Sequence, residues 1–261
     1  MAPTKGLEVN GLSVQFGGLK AVSNLSLAVQ HGELIGLIGP NGAGKTTVFN
    51  ALTGFCRPNS GTIIFDGHDI THKPPHFVAQ FGVARTFQNI RLFKDLSVLD
   101  NLKIAYHQNF GYSILGGILR IPLYHQEEAK VIEESVRILD LVNLTEHRQV
   151  KAGNLAYGNQ RKLEIARALV MKPKLLLLDE PAAGMNPFET RELVKLIREI
   201  QESFDLTVFL IEHDMSLVMN LCKRIYVLDY GLLIASGGVD EVRNDPRVIE
   251  AYLGEDAPWQ S

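Results

Sequence analysis

The stretch Leu34-Ile35-Gly36-Leu37-Ile38-Gly39-Pro40-Asn41-Gly42-Ala43-Gly44-Lys45-Thr46-Thr47 decides the fold. Its first five residues form an unbroken apolar run, the pattern of a parallel strand covered on both faces. The next eight match GxxxxGK[ST], and the chain from there to Gly54 reads as a helix. Strand, glycine loop and helix in that order make a phosphate cradle. Glycines let successive backbone N–H groups converge, and the helix N-terminus adds a partial positive charge. In such a loop Gly39, Pro40, Asn41, Gly42, Ala43, Gly44, Lys45, Thr46 and Thr47 surround the phosphates. Lys45 is placed to reach the β and γ groups of a nucleoside triphosphate, and the Thr46 hydroxyl to hold Mg²⁺.

A second apolar run, Leu175-Leu176-Leu177-Leu178, stops at Asp179-Glu180-Pro181, because proline cannot continue a central strand. Ligands of such sheets bind at the strand carboxyl ends. Asp179 is therefore expected to hold magnesium through water, and Glu180 to act as the general base on an attacking water. Asn186-Pro187 with Glu189 has the form of a helix start, and Leu193, Leu196, Ile197 and Ile200 follow at helical spacing. A strand over Leu206 to Ile211, a helix over Met215 to Leu221 and a strand over Arg224 to Leu228 complete the alternation. Strands alternating with helices predict a mostly parallel sheet with both faces covered.

Two regions differ in texture. Leu7 to Phe16 and Ala21 to Val29 read as strands joined by a Gly17-Gly18 turn. Asn101 to His107 and Gln126 to Leu141 read as helices with no strand between them, so residues 89–160 are expected to form an inserted helical lobe. A glycine-rich patch lies at Gly111 to Gly117.

With 261 residues, 46% of them hydrophobic, the chain can bury one large α/β core and a modest lobe. The net charge of -3 gives no basic field for nucleic acid or for an anionic membrane surface. Cys56 and Cys222 lack CxxC spacing and a histidine cluster, which fits a reducing compartment and plain thiols. The N-terminus has no signal-peptide pattern. No run approaches the roughly 20 apolar residues that cross a bilayer. The nearest, Tyr112 to Leu123, is broken by Gly116, Gly117, Arg120 and Pro122, so membrane association is expected to come through a partner.

These motifs, over nearly the whole chain, resemble the nucleotide-binding subunits of ABC transporters. The resemblance implies an α/β P-loop NTPase of RecA-like type. Its mostly parallel sheet would carry an N-terminal antiparallel β-subdomain and an inserted α-helical subdomain. The expected division is a core of 1–88 and 161–236, a helical signature subdomain of 89–160 and a helical tail of 237–261. It further implies that Phe16 stacks on adenine, that Gln88 in Arg85-Thr86-Phe87-Gln88-Asn89 is the Q-loop residue contacting magnesium or water, and that His213 meets the γ-phosphate. The signature segment is Leu155, Ala156, Tyr157, Gly158 and Asn159, which departs from the commonest LSGGQ. Ala156 lacks the serine hydroxyl, so contact there is expected from main chain and helix dipole. Asn186 stands where many members have Asp.

Longer strings resemble the LivG family, the ATP-binding subunits of bacterial high-affinity branched-chain amino acid importers. They include Phe16-Gly17-Gly18-Leu19-Lys20-Ala21-Val22, Glu180-Pro181-Ala182-Ala183-Gly184-Met185-Asn186-Pro187 and the ending from Asp245 to Gly254. The implied partners are a second ATP-binding subunit (a second copy or a LivF-like sister), two membrane permease subunits and, indirectly, an external solute-binding protein, with ATP and Mg²⁺ bound at the cytoplasmic face of the cell membrane. Importers of urea or short amides carry similar subunits. A soluble ABC ATPase would be expected to bring a second cassette or a long coiled-coil insertion, and a GTPase an NKxD guanine reader; the chain has neither.

Overall fold

A computed structural model describes residues 5–106 and 122–252. The glycine-rich patch and most of the Tyr112 to Leu123 run lie outside the described residues, as do the last residues of the resembling C-terminal string. The chain divides into two compact units, Met1–Arg85 with Lys174–Ser261, and Thr86–Pro173.

The first unit is α/β and holds two sheets. Strands β1 (Lys5–Phe16), β2 (Leu19–Gln30), β4 (Ser60–Phe65) and β5 (His68–Asp69) form an antiparallel sheet in the order β2-β1-β4-β5. The second sheet is built from β3 (Leu34–Ile38), β6 (Val83–Arg85), β7 (Leu175–Asp179), β8 (Thr207–Ile211), β9 (Arg224–Asp229) and β10 (Leu232–Gly237). Its order is β10-β9-β3-β8-β7-β6, parallel except where β10 meets β9. Every residue of β3, β7 and β8 is buried, as continuous apolar runs require of central strands. The predicted strands at Leu7, Ala21, Leu34, Leu175, Leu206 and Arg224 are all present, each within a few residues of its expected ends.

Helix α1 (Lys45–Leu52) follows the glycine loop, and its Val48, Phe49 and Leu52 sink into a core shared by both sheets. The Phe49 ring meets Phe209 of β8 edge-on at 5.2 Å. Each such fully buried side chain contributes about 1.5–3 kcal/mol over its exposed state. Helix α2 (Pro75–Gln80) is short.

The second unit is helical among its described residues: α3 (Val98–Tyr106), α4 (Pro122–Leu141) and α5 (Tyr157–Leu169). Val98, Leu102, Val131, Ile138, Leu139 and Leu163 are buried. Buried Asn101 shapes the entry to α3. Its amide donates to the Phe93 and Ser97 carbonyls at 3.0 Å, and its oxygen accepts from the Phe93 N–H at 3.0 Å.

The first unit continues with α6 (Pro187–Ser203), α7 (Met215–Leu221), α8 (Val239–Arg243) and α9 (Pro246–Tyr252). The start of α6 is the capping box that its sequence predicts. The Asn186 side chain accepts from the Phe188 and Glu189 N–H groups at 3.0 Å, and Glu189 accepts from the Asn186 N–H at 3.1 Å. Asn186→Ala is expected to lower the unfolding free energy by about 1 kcal/mol, read as a reduced midpoint in urea denaturation. An unchanged midpoint would mean that the cap contributes nothing. Among the described residues no helix is long and apolar enough to cross a membrane.

Candidate functional site

Three neighbouring parallel strands bring the glycine loop, the acidic pair and His213 of the first unit to one edge. Leu37 of β3 lies opposite Ile211 of β8, and Ile211 lies opposite Asp179 of β7. The glycine loop leaving β3, the Asp179-Glu180 pair leaving β7 and His213 just beyond β8 therefore emerge side by side at the carboxyl ends.

The loop Gly39 to Gly44 is pressed against its surroundings by backbone that only glycine permits. Gly44 has φ +101°, and a Cβ there would sit 2.3 Å from the Ala21 carbonyl oxygen. At Gly39, φ +150°, a Cβ would sit 2.0 Å from the Leu228 carbonyl oxygen. The Ala43 N–H bonds the Pro40 carbonyl at 3.1 Å, and the Ala43 carbonyl accepts from the Gly231 N–H at 3.0 Å. Pro40 is half-buried, Asn41 and Gly42 are exposed, Thr46 is exposed, and Thr47 is half-buried. Lys45 is 7% exposed, and its ammonium donates to the Gly39 carbonyl at 2.5 Å and the Pro40 carbonyl at 2.9 Å. The N-terminus of α1 has no side-chain cap and no acidic residue in its first turn. A cation inside a glycine loop, at the start of a helix whose first turn carries no acidic residue, is a chemical fit for phosphate groups.

Glu180 holds a left-handed backbone, φ +45°, with its N–H bonded to the Ile211 carbonyl at 2.9 Å. That turn carries the chain off the strand and leaves the carboxylate 16% exposed, with Oε2 3.8 Å from Nδ1 of His213. His213 is 61% exposed on its side chain. Phe16, at the end of β1, is 53% exposed, so its ring has a face available for stacking. Within the first unit, the Thr46 hydroxyl and the Asp179 carboxylate are hard oxygen donors in small number, a donor set that suits Mg²⁺, an ion that keeps water and substrate phosphates as its other ligands. Among the described residues no group of three or more His, Cys, Asp or Glu could hold a metal on its own.

Gln88 and the signature segment belong to the second unit. Gln88 is exposed. Leu155 and Gly158 are buried, Tyr157 is exposed and Asn159 half-buried, and exposed Ala156 is the N-cap residue of α5, with no side-chain bond to its N–H groups.

Two residues of the first unit escaped the sequence reading. Arg85, ending β6, donates from Nη2 to Asp179 Oδ2 at 2.6 Å and from Nη1 to Asn50 at 2.8 Å and the Thr53 hydroxyl at 3.3 Å. It thereby ties the acidic strand to α1, with both charged side chains 5% exposed or less. Its signal was a lone cation closing the short apolar run Val83-Ala84. Arg85→Met is expected to lower the unfolding free energy by about 3–5 kcal/mol, because a buried carboxylate loses its cation. Urea denaturation measures it; a loss below about 1 kcal/mol would mean that the pair is readily replaced by water. Glu212 is the other. Wholly buried, it accepts the Ala182 N–H at 2.9 Å and the His213 N–H at 3.1 Å, so it joins the loop after Glu180 to the loop carrying His213. Burial pushes its carboxyl above the usual range, against the pull of these N–H groups and of His213. Its signal was a charged residue directly after the run Val208 to Ile211. The thiols of Cys222, which is buried, and Cys56, half-buried, are both pushed up by burial.

Comparison with known proteins is consistent with this geometry. Residues 22–183 match the family model of the ABC transporter, and residues 233–258 match that of the branched-chain amino acid ATP-binding cassette transporter. The high-affinity branched-chain amino acid transport ATP-binding protein LivG of Salmonella typhimurium is 49% identical over 95% of this chain and 98% of its own length. The corresponding BraF of Pseudomonas aeruginosa is 48% identical over the same shares. A crystallised ATP-binding cassette of an ABC transporter in its ADP conformation superposes with a TM-score of 0.84 at 34% identity, covering 96% of this chain and 99% of that one.

Proposed function

This chain belongs to the ABC transporter family of ATP-binding proteins, and from that premise we propose that it is the MgATP-hydrolysing subunit of an importer for leucine, isoleucine or valine. The observation that carries the proposal is the strand edge at which Lys45, Asp179, Glu180 and His213 emerge together, with Glu180 and His213 3.8 Å apart.

In this reading the N–H groups of residues 42–47 and the Lys45 ammonium grip the β and γ phosphates, and Phe16 stacks on adenine. Thr46 and Asp179 would hold Mg²⁺, which when bound neutralises charge on the phosphate oxygens. Glu180 takes a proton from a water as that water's oxygen bonds to the γ phosphorus and the bond to the β-bridging oxygen breaks, giving ADP and phosphate. His213 would donate to a γ-phosphate oxygen. The signature segment of one subunit would serve the phosphate loop of another, through main chain and helix dipole at Ala156 to Gly158. The partner subunit is a second copy or a LivF-like sister. Two permease subunits would hold the pair at the cytoplasmic face of the membrane, and an external binding protein would deliver the amino acid.

The test is reconstitution of the chain with its permease and sister subunits in vesicles. ATP-dependent uptake of labelled leucine, isoleucine or valine, presented with the binding protein, is the expected result. ATP-driven uptake of urea or a short amide in their place would overturn the assigned solute, and ATP hydrolysis without any uptake would overturn the transport role.

A further inference from the structure

The second unit contains a buried ion pair whose bonds go mostly to main chain. Arg161 and Glu164, one turn apart on α5, have side chains 0% and 6% exposed, and Arg161 Nη1 donates to Glu164 Oε2 at 2.6 Å. Arg161 Nη1 also donates to the Phe87 carbonyl at 2.7 Å, and Nη2 to the Gln88 carbonyl at 2.8 Å. Glu164 Oε1 accepts from the Phe87 N–H at 3.3 Å and the Arg91 N–H at 3.4 Å. One turn further, Arg167 donates to the Arg91 carbonyl, while the Arg91 guanidinium lies 3.9 Å over the Phe87 ring. Three residues at successive turns of one helix therefore clasp the backbone of 87–91 by both its carbonyls and its amides.

Two buried charges facing only each other could be exchanged for a well-packed apolar pair at little cost. Here the planar guanidinium spans two consecutive carbonyls, which a point charge on a flexible stem cannot do. We propose that Arg161 and Glu164 are positioning residues that make the Gln88 segment and α5 one rigid lever, so that a displacement of Gln88 is delivered to Ala156, Tyr157 and Gly158 at the helix start. The inference rests on the ATPase reading above and adds to it the residues that join Gln88 to the signature. It makes the pair necessary for turnover and dispensable for nucleotide binding, since Lys45 and its loop belong to the first unit.

The test compares the parent chain with Arg161→Met, Arg161→Lys, Glu164→Gln and the double variant Arg161→Met/Glu164→Leu, which leaves no lone buried charge. Each is assayed for labelled ATP affinity on the purified chain, for kcat and KM of the assembled transporter per folded molecule, and for thermal midpoint. The expected result is ATP affinity within about twofold of the parent and a fall in kcat of at least about tenfold for Arg161→Met and for the double variant. Arg161→Lys should recover part of the loss. Two outcomes overturn the proposal: kcat within about twofold of the parent in the double variant, whatever its thermal midpoint, or ATP affinity that falls along with kcat. A parent chain that fails to bind ATP would instead sink the ATPase reading, so the two failures are distinguishable.

Discussion

Glu180→Gln is expected to leave ATP affinity within a few-fold of the parent and to lower hydrolysis by the assembled transporter by about 10²–10⁴-fold. The substitution keeps the shape of the side chain and removes its negative charge and its ability to take a proton. The left-handed turn at φ +45° depends on the bond from the Glu180 N–H to the Ile211 carbonyl, and a glutamine keeps that bond. Removing a negative charge beside the phosphates would if anything tighten binding. A rate loss of that size corresponds to about 2.7–5.4 kcal/mol of barrier. Single-turnover hydrolysis and equilibrium binding of labelled ATP separate the two quantities. Hydrolysis within twofold of the parent would remove Glu180 from the base role.

Lys45→Ala is expected to act on the other quantity. Its ammonium is 7% exposed and braced by the Gly39 and Pro40 carbonyls, which positions a cation where the glycine loop converges. A hydrogen bond to a charged group contributes about 1.5–3 kcal/mol, so its loss should weaken ATP about 10- to 100-fold and more where several phosphate oxygens share it. The same substitution removes a brace of the loop, so the thermal midpoint must be followed in parallel. Equal affinity in parent and variant, both folded, would contradict the assignment of the loop.

The parts of this molecule that were legible in sequence are those whose signals are local. The run Leu34 to Ile38 followed by GxxxxGK[ST] specifies a strand, a turn and a helix within a short stretch, and the Asn186-Pro187-Glu189 start of α6 is a cap made entirely by neighbours. The Asp179-Glu180-Pro181 strand end was legible because proline stops a central strand. Strand β6 was not, because Val83 to Arg85 is too short to show any period. Arg85 was missed for the same reason, and because its partner Asp179 lies 94 residues away. Glu212 and the Arg161 and Glu164 pair read as polar positions in sequence. Only the fold shows that each is buried and spends its bonds on the backbone of a distant loop. Long-range pairing of this kind leaves no trace in spacing.

The central claim, that residues 39–47 hold a nucleoside triphosphate, is tested most directly by equilibrium dialysis of the purified chain with labelled ATP and magnesium. The account predicts saturable binding of one nucleotide per chain, displaced by unlabelled ATP, retained by Glu180→Gln and weakened by Lys45→Ala. Absence of saturable binding in the folded parent chain would contradict it.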